Sequence, residues 1–317
     1  MIRYYKKIDQ KVIELETESK ASWINISPPF APGELEKFAE SFDFPLDFLM
    51  DSLDIDERSR YEREENANLI LFNTPLLNSD LKENEAIYYT APLGIILVVD
   101  KIVTVTSREN PILDKFLDNK VKNFDPSDAK LFVLQLFEQN VFRFLDCLKK
   151  LNLKRNLIEQ ELYNSSRNKE LQQLLRIEKS LVYFVNSLSA NELLKMKMKR
   201  TDLLNIRELE FHADLFEDVL IDNSQALEMS NVHTNILGGT METYASIVSN
   251  NMNAFINRLT IITITLMVPT LVYSFFGMNM VIPGTGPEFK YTYLWVILFS
   301  IIFVVGLIIF MTKNRRF

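Results

Sequence analysis

Two charge-free stretches constrain this chain more than any other feature. No Asp, Glu, Lys or Arg occurs from Leu259 to Phe276, and none from Tyr291 to Met311. As helices, both are long enough to cross a hydrocarbon core of about 30 Å. No comparable run occurs before residue 250. The expectation is a charged, water-soluble N-terminal part followed by two membrane-spanning helices. The net charge of −7 divides along the same line, with +4 from Asn253 onward and −11 before it. An acidic soluble part argues against nucleic acid as a partner. It suits a surface that attracts cations, although mildly acidic soluble domains are common. Cys147 is the only cysteine, which excludes an internal disulfide and a thiolate-rich metal site.

The ends of the chain set an expected topology. Met1–Lys20 is charged throughout and has no apolar centre, so it does not read as a signal peptide. Lys313, Arg315 and Arg316 follow the second apolar stretch, which places that end in the cytoplasm by the positive-inside rule. Two spans then return the N-terminus to the same side. The expected location is the cell membrane, multi-pass, with both termini cytoplasmic.

Residues 1–125 read as a mixed α/β domain. Strand-like runs lie at Lys11–Leu15, Ser22–Ile26, Asn68–Phe72, Ala86–Tyr89, Gly94–Val99 and Ile102–Thr106. Helices are expected after Pro32-Gly33-Glu34 and from Pro45 to Ser52. The charged run Asp54–Glu57 with Arg58 reads as a solvated loop with local ion pairs. From Asp128 to Val268 helix formers dominate, and Gly238-Gly239 is the only break by glycine or proline. Residues 126–252 are therefore expected to form a helical arm and a long stalk helix. Turns are expected at Asn164-Ser165-Ser166 and within Ser187–Ala190. Gly238-Gly239 reads as a close-packing site between helices in preference to a hinge. A helix from Thr201 to Val268 would reach roughly 100 Å.

Residues 253–279 are the most informative segment. On a helix, Asn253, Ile256, Thr260, Thr263, Met267, Thr270 and Ser274 fall within about 100° of one another. The rest of the circumference is apolar except for Thr265. A polar stripe on a membrane helix faces protein or water, not lipid. Packing against another helix and lining a pore both satisfy that rule. One chain supplies one such helix, so a pore would need several copies around an axis. No carboxylate lies on the stripe, which disfavours a proton relay and full dehydration of a divalent ion. Neutral hydroxyl and amide oxygens suit contact with the water shell of Mg²⁺, and rings of Ile256 and Met267 could close a path by dewetting.

Phe276-Gly277-Met278-Asn279-Met280 follows directly. The run from Pro269 to Asn279 resembles the end of the pore helix in the CorA family of magnesium transporters. That family carries a Gly-Met-Asn signature, a short external loop, a second span and a basic C-terminus, and this chain has all four in order. Leu153–Leu157 is similar to the family's helical arm, and Asp54–Glu64 with the run at Leu69 to its N-terminal domain. The resemblance implies an α+β cytoplasmic domain with a long helical stalk and two C-terminal transmembrane helices, assembled as a funnel-shaped homopentamer. It implies 253–279 as the pore-lining helix, 280–290 as an external loop, 291–312 as the second span and 313–317 as a basic cytoplasmic tail. It also implies Gly277, Met278 and Asn279 as a selectivity filter and Asn253, Ile256, Leu259, Met267, Thr270 and Asn279 as pore-lining. Two departures stand out. Phe276 and Met280 replace the family's usual Tyr and Phe. Pro287-Glu288 comes late, after Pro283-Gly284-Thr285-Gly286. Glu288 could draw cations to the pore mouth, with Lys290 offsetting it.

Asp214, Asp218 and Asp222 recur every four residues on one helix face, with Glu217 beside them. Like charges at that spacing destabilise a helix by roughly a few tenths of a kcal/mol per pair. Bound divalent cations would relieve this, and a solvated acidic face is the plainer reading. The resemblance places a regulatory aspartate at Asp218, with cytoplasmic Mg²⁺ bridging subunits and Asp80 or Glu83 as candidate partners. Mg²⁺ is thus expected as both cargo and regulator, with Co²⁺ or Ni²⁺ as further cargo. His212 and His233 are too far apart to pair on one helix face. No Gly-rich phosphate loop or nucleophilic triad is present, so neither an enzyme nor an organic cofactor is expected. Two alternatives stay open: a proton-driven zinc transporter of the ZntB type, and a membrane-anchored scaffold or signalling protein.

Overall fold

The computed structural model describes residues 1–9, 11–79, 85–164, 168–278 and 291–313. The chain forms two compact units, Met1–Met241 and Glu242–Phe317.

The first unit is built on a seven-stranded sheet. Its strands are β1 (Ile2–Ile8), β2 (Lys11–Leu15), β3 (Trp23–Ile26), β4 (Arg60–Arg63), β5 (Asn68–Leu77), β6 (Tyr88–Val98) and β7 (Lys101–Thr106). They lie in the order β2-β1-β3-β7-β6-β5-β4. Every neighbouring pair is antiparallel except β3 and β7, where Trp23 pairs with Ile102 and Ile26 with Val105 in parallel. That parallel pair needs a crossover, supplied by α1 (Glu34–Ser41), α2 (Asp47–Leu53) and the β4–β6 meander.

Both faces of the central strands are covered, which is why β5 reads as a nearly continuous apolar run. On one face Ile24, Ile26, Leu69, Ile96, Val103 and Val105 pack with Leu35, Phe38, Phe44, Phe48 and Leu49 of α1, α2 and their connection. The opposite face meets α3 (Pro111–Leu117), α4 (Ala129–Asn164) and α5 (Asn168–Thr201). Here Phe72 of β5 meets Phe137 of α4 with ring centroids 5.0 Å apart. Trp23 sits edge-on to Phe132 at 5.2 Å and its indole N–H donates to Thr104 Oγ1 at 2.8 Å. Gly94 of β6 lies against α2, and a Cβ there would come within 2.0 Å of Ser52 Oγ.

Several expectations change. The helices expected to form an arm apart from the sheet instead close one of its faces, because α4 buries Phe132, Leu136 and Phe137 there. No turn forms at Ser187–Ala190, and α5 runs through it. Ser187 is polar because it donates to Thr90 Oγ1 at 2.8 Å inside the helix–sheet contact. The runs at Ala86–Tyr89 and Gly94–Val99 belong to one strand, β6. Two strands were not legible. β1 mixes charged and apolar residues without a steady alternation, and β4 lies within the charged stretch around Arg58. Of the charged run Asp54–Arg58, Glu57 pairs with Arg60 at 2.5 Å, and Arg60 also holds Asp51 and Glu62, outside the run, at 2.6 Å.

Helix α6 spans Glu210–Phe276, with Pro269 inside it, and contributes to both units. A Cβ at Gly238 or Gly239 would meet nothing within 4 Å, so neither is a close-packing site within this chain. Helix α7, Thr292–Lys313, completes the second unit.

Candidate functional site on the C-terminal part of α6

Within the described residues, α6 alone is long and apolar enough to cross a membrane, with a mean hydropathy of 1.9 over its best window and none of that window buried. The apolar run of α7, Leu294–Phe310, is shorter.

Helix α7 covers one side of this segment. A cavity of about 350 Å³ between the two helices is lined by Ile264, Met267, Val268, Leu271 and Val272 of α6 and by Phe299, Ser300 and Phe303 of α7. Ile261, Ile264, Thr265, Val268, Pro269 and Val272 are the partly covered positions. The stripe Asn253, Ile256, Leu259, Thr260, Thr263, Met267, Thr270 and Ser274 is exposed throughout. At 3.6 residues per turn the two sets are centred roughly 150° apart. Apart from Met267, which reaches that cavity, the stripe therefore faces away from its own chain's second helix.

The hydroxyls on the stripe have a common geometry. Thr260 donates to the carbonyl of Ile256 at 2.9 Å, Thr263 to Leu259 at 2.8 Å and Thr270 to Leu266 at 2.8 Å. Donating the proton backward leaves the oxygen lone pairs as acceptors. The exposed face thus presents neutral oxygens ready to receive hydrogen bonds. Thr265 differs: its hydroxyl is buried without a partner. Pro269 has no N–H, so the Thr265 carbonyl one turn back also loses its helical donor.

At the end of α6, Gly277 N–H donates to the Tyr273 carbonyl at 2.9 Å and Met278 N–H to the Phe275 carbonyl at 3.4 Å. Gly277 is not in the left-handed region, but a Cβ there would lie 3.2 Å from the Tyr273 carbonyl oxygen. Met278 is 53 % exposed. Asn279, Met280, Glu288 and the rest of the expected external loop lie outside the described residues, as do Asp80, Glu83, Arg315 and Arg316.

The acidic face of α6 does not make a metal site within one chain. Asp214 and Asp218 are exposed, Asp222 is partly covered, and Glu217 is paired with Lys199. Among the described residues no three His, Cys, Asp or Glu side chains converge on a common point.

A buried polar column went unread in the sequence. Asn73 of β5 receives Asn140 Nδ2 at 3.1 Å and Asn191 Nδ2 at 2.9 Å on its carbonyl. Ser59 donates to Asn191 Oδ1 at 2.7 Å. One turn along α5, Lys195 Nζ donates to Asn223 Oδ1 of α6 at 2.7 Å, and Asn223 Nδ2 donates to the Leu188 carbonyl at 3.1 Å. The available signal was spacing: Leu188, Asn191, Lys195 and Met198 fall on one helix face, and all four are buried.

Comparison with known proteins bears on the whole chain. Residues 18–315 match the family model described as CorA-like Mg²⁺ transporter protein. The cobalt/magnesium transport protein CorA of Methanocaldococcus jannaschii is 26 % identical over 279 residues, covering 86 % of this chain and 84 % of that one. Its counterpart from Thermotoga maritima is 21 % identical, covering 99 % and 88 %. Among solved structures, the complete CorA magnesium transporter from M. jannaschii superposes with a TM-score of 0.78 at 20 % identity, over 99 % of this chain and 98 % of that one. The full-length CmaX protein gives 0.68 at 15 % identity, over 97 % of each chain. The cytoplasmic domain of ZntB from Vibrio parahaemolyticus gives 0.61 at 7 % identity, over 78 % and 98 %. At these identities the structural likenesses establish the fold.

Proposed function

The chain belongs to the CorA-like Mg²⁺ transporter family, and from that premise we propose that it moves divalent cations, Mg²⁺ foremost, across a membrane through a pore enclosed by several copies. One observation carries the reading: the polar stripe of α6 is exposed and turned away from α7. A stripe that served packing within the chain would face α7. Left open in a helix of this hydropathy, it calls for water or further protein.

The chemistry of the stripe supports a hydrated ion as cargo. Mg²⁺ gives up its inner waters reluctantly. Those waters are strongly polarised donors, and the back-bonded threonine hydroxyls supply matching acceptors. Ile256, Leu259 and Met267, each about half exposed, would form apolar rings between the hydroxyl rings. In this proposal five copies surround the axis, α7 is a second span, both termini face the cytoplasm, and Gly277, Met278 and Asn279 form the filter. Co²⁺ and Ni²⁺ share the charge and the preference for oxygen-bound water. Glu288 would raise the local cation concentration at the mouth.

Cytoplasmic Mg²⁺ as regulator also belongs to the proposal. A single chain holds no convergent ligand set among the described residues. Asp218, with Asp214 and Asp222, would therefore need acidic groups from a neighbouring copy.

The test is uptake of Mg²⁺, Co²⁺, Ni²⁺ and Zn²⁺ into liposomes from one preparation, with and without a pH gradient, for wild type and Asn279→Ala. Mg²⁺ flux independent of the pH gradient and lost in the variant supports the reading. Zn²⁺ flux that requires the gradient supports the ZntB-type alternative. Vesicles that pass none of the four support a scaffold.

A further inference from the structure

Among the described residues of the first unit, Lys195 is the one fully buried lysine, at the junction of α4, α5 and α6. Its ammonium has Asn223 Oδ1 as its one recorded hydrogen-bond acceptor, at 2.7 Å. The Phe137 ring of α4 lies 5.4 Å from Nζ. Asn191, one turn away on α5, and Asn140 on α4 are buried, neutral and bonded to the Asn73 carbonyl. The one charged group felt by the amine is Glu192, on its own helix. A buried ammonium without a carboxylate in contact is an expensive arrangement, and such groups release their proton instead.

We propose that Lys195 is a proton-responsive joint: neutral, it holds α6 to α5 through Asn223, and protonated, its buried charge favours opening of that contact to water. The neutral amine still donates an N–H to Asn223 Oδ1, whereas the ammonium adds a charge whose lost hydration one amide oxygen does not offset. Burial pushes the amine down from 10.5 to about 7, so its charge changes within the physiological range. Asn223 is held in place by the Leu188 carbonyl, so the change falls on the contact between the two helices and not on a free side chain. One turn along the same helix, Asn191 bonds Ser59 and the Asn73 carbonyl of β5, which anchors α5 to the sheet beside the joint. The joint thus links the sheet to α6, and this inference stands whatever the helix carries further on.

Hydrogen–deuterium exchange on the full-length protein in lipid nanodiscs, corrected for intrinsic rates, tests this between pH 6 and pH 8.5. Protection of 188–195 and 219–226 is expected to increase several-fold as pH rises through about 7, with no such change in β5 or β6. Lys195→Met should give a flat profile, and Asn223→Asp, which sets a carboxylate against the ammonium, should move the midpoint up by at least about one pH unit. A flat wild-type profile would overturn the proposal without recourse to any variant. So would a Lys195→Met profile that keeps the wild-type step.

Discussion

Trp23 donates its indole N–H to the hydroxyl of Thr104 at 2.8 Å, and neither side chain has measurable exposure. The two residues sit on β3 and β7, the only parallel pair in the sheet, so the bond ties the crossover closed on the face covered by α3 and α4. Trp23→Phe removes the donor and leaves a gap against Phe124 and Phe132. The expected loss is about 2–4 kcal/mol, from the unmade bond and the cavity together. Thermal unfolding followed by circular dichroism measures it, and an unchanged midpoint would show the bond to be dispensable.

Gly94 and Ser52 form a second structural pair. A methyl group at Gly94 would lie 2.0 Å from Ser52 Oγ and 2.6 Å from its Cβ, so rotation of the hydroxyl alone gives no relief. Gly94→Ala should destabilise by about 2 kcal/mol or more. Ser52→Gly costs about 1 kcal/mol by helix propensity. The double variant should be more stable than the sum of the two losses, by about 1–3 kcal/mol. Additive losses would mean that the sheet moves away from α2 and not against Ser52.

How far the sequence disclosed this architecture depends on the period of each segment. The strands with continuous apolar runs, β3, β5, β6 and β7, were legible because a sheet covered on both faces leaves no alternation to misread. Strands β1, between β2 and β3, and β4, at an edge, were not, since their charged residues belong equally to loops. Ser187 looked like a breaker in α5. It is a buried donor to Thr90, as Asn191 is to Asn73, and nothing local in a helix distinguishes a polar residue that leaves it from one that reaches a sheet. The stripe on α6 was legible because a membrane helix has few reasons to carry threonine on one side. That it faces away from α7 was not, because the sequence fixes the stripe's angle on its own helix and not the neighbour's position.

The stripe hydroxyls act as acceptors in the proposed pathway, and Thr263 isolates that role. Its proton is committed to the Leu259 carbonyl at 2.8 Å, so Thr263→Val keeps the shape and deletes the outward lone pairs. Mg²⁺ flux in proteoliposomes should fall roughly 2–10-fold, the worth of one hydrogen bond to a hydrated ion. Thr263→Ser should retain most of the flux. Equal flux in the valine variant would mean that the face is in contact with protein and not with water.

The titration of Lys195 also carries a stability signature. In the unfolded chain the amine keeps its proton up to about pH 10.5, while in the native state it releases it near 7. Between those values unfolding takes up a proton, so native stability increases as pH rises across that window and levels off below about pH 7. The slope expected from this one group is at most about 1.4 kcal/mol per pH unit. Denaturant titrations from pH 6 to 9 should show it as the difference between wild type and Lys195→Met. The variant also leaves Asn223 Oδ1 unpaired and is expected to be less stable than wild type at high pH, where the native amine is neutral and costs nothing.

Asp218 tests whether the acidic face of α6 senses its own cargo. It is exposed, as is Asp214, while Glu217 is already engaged by Lys199, so the carboxylates left to meet a cation point outward from the chain. A solvated face and a site completed by a second copy then differ in one measurable respect, which is whether the charge matters to flux. Asp218→Lys on a merely solvated face changes local electrostatics by well under about 1 kcal/mol and leaves transport alone. On a shared site it reverses a charge at every contact between copies. Flux measured against increasing Mg²⁺ on the cytoplasmic side should then lose its inhibition, or shift it by about tenfold or more, if cation bridges hold the copies together. Inhibition that keeps its wild-type midpoint in the variant would assign the Asp214–Asp222 face to solvent.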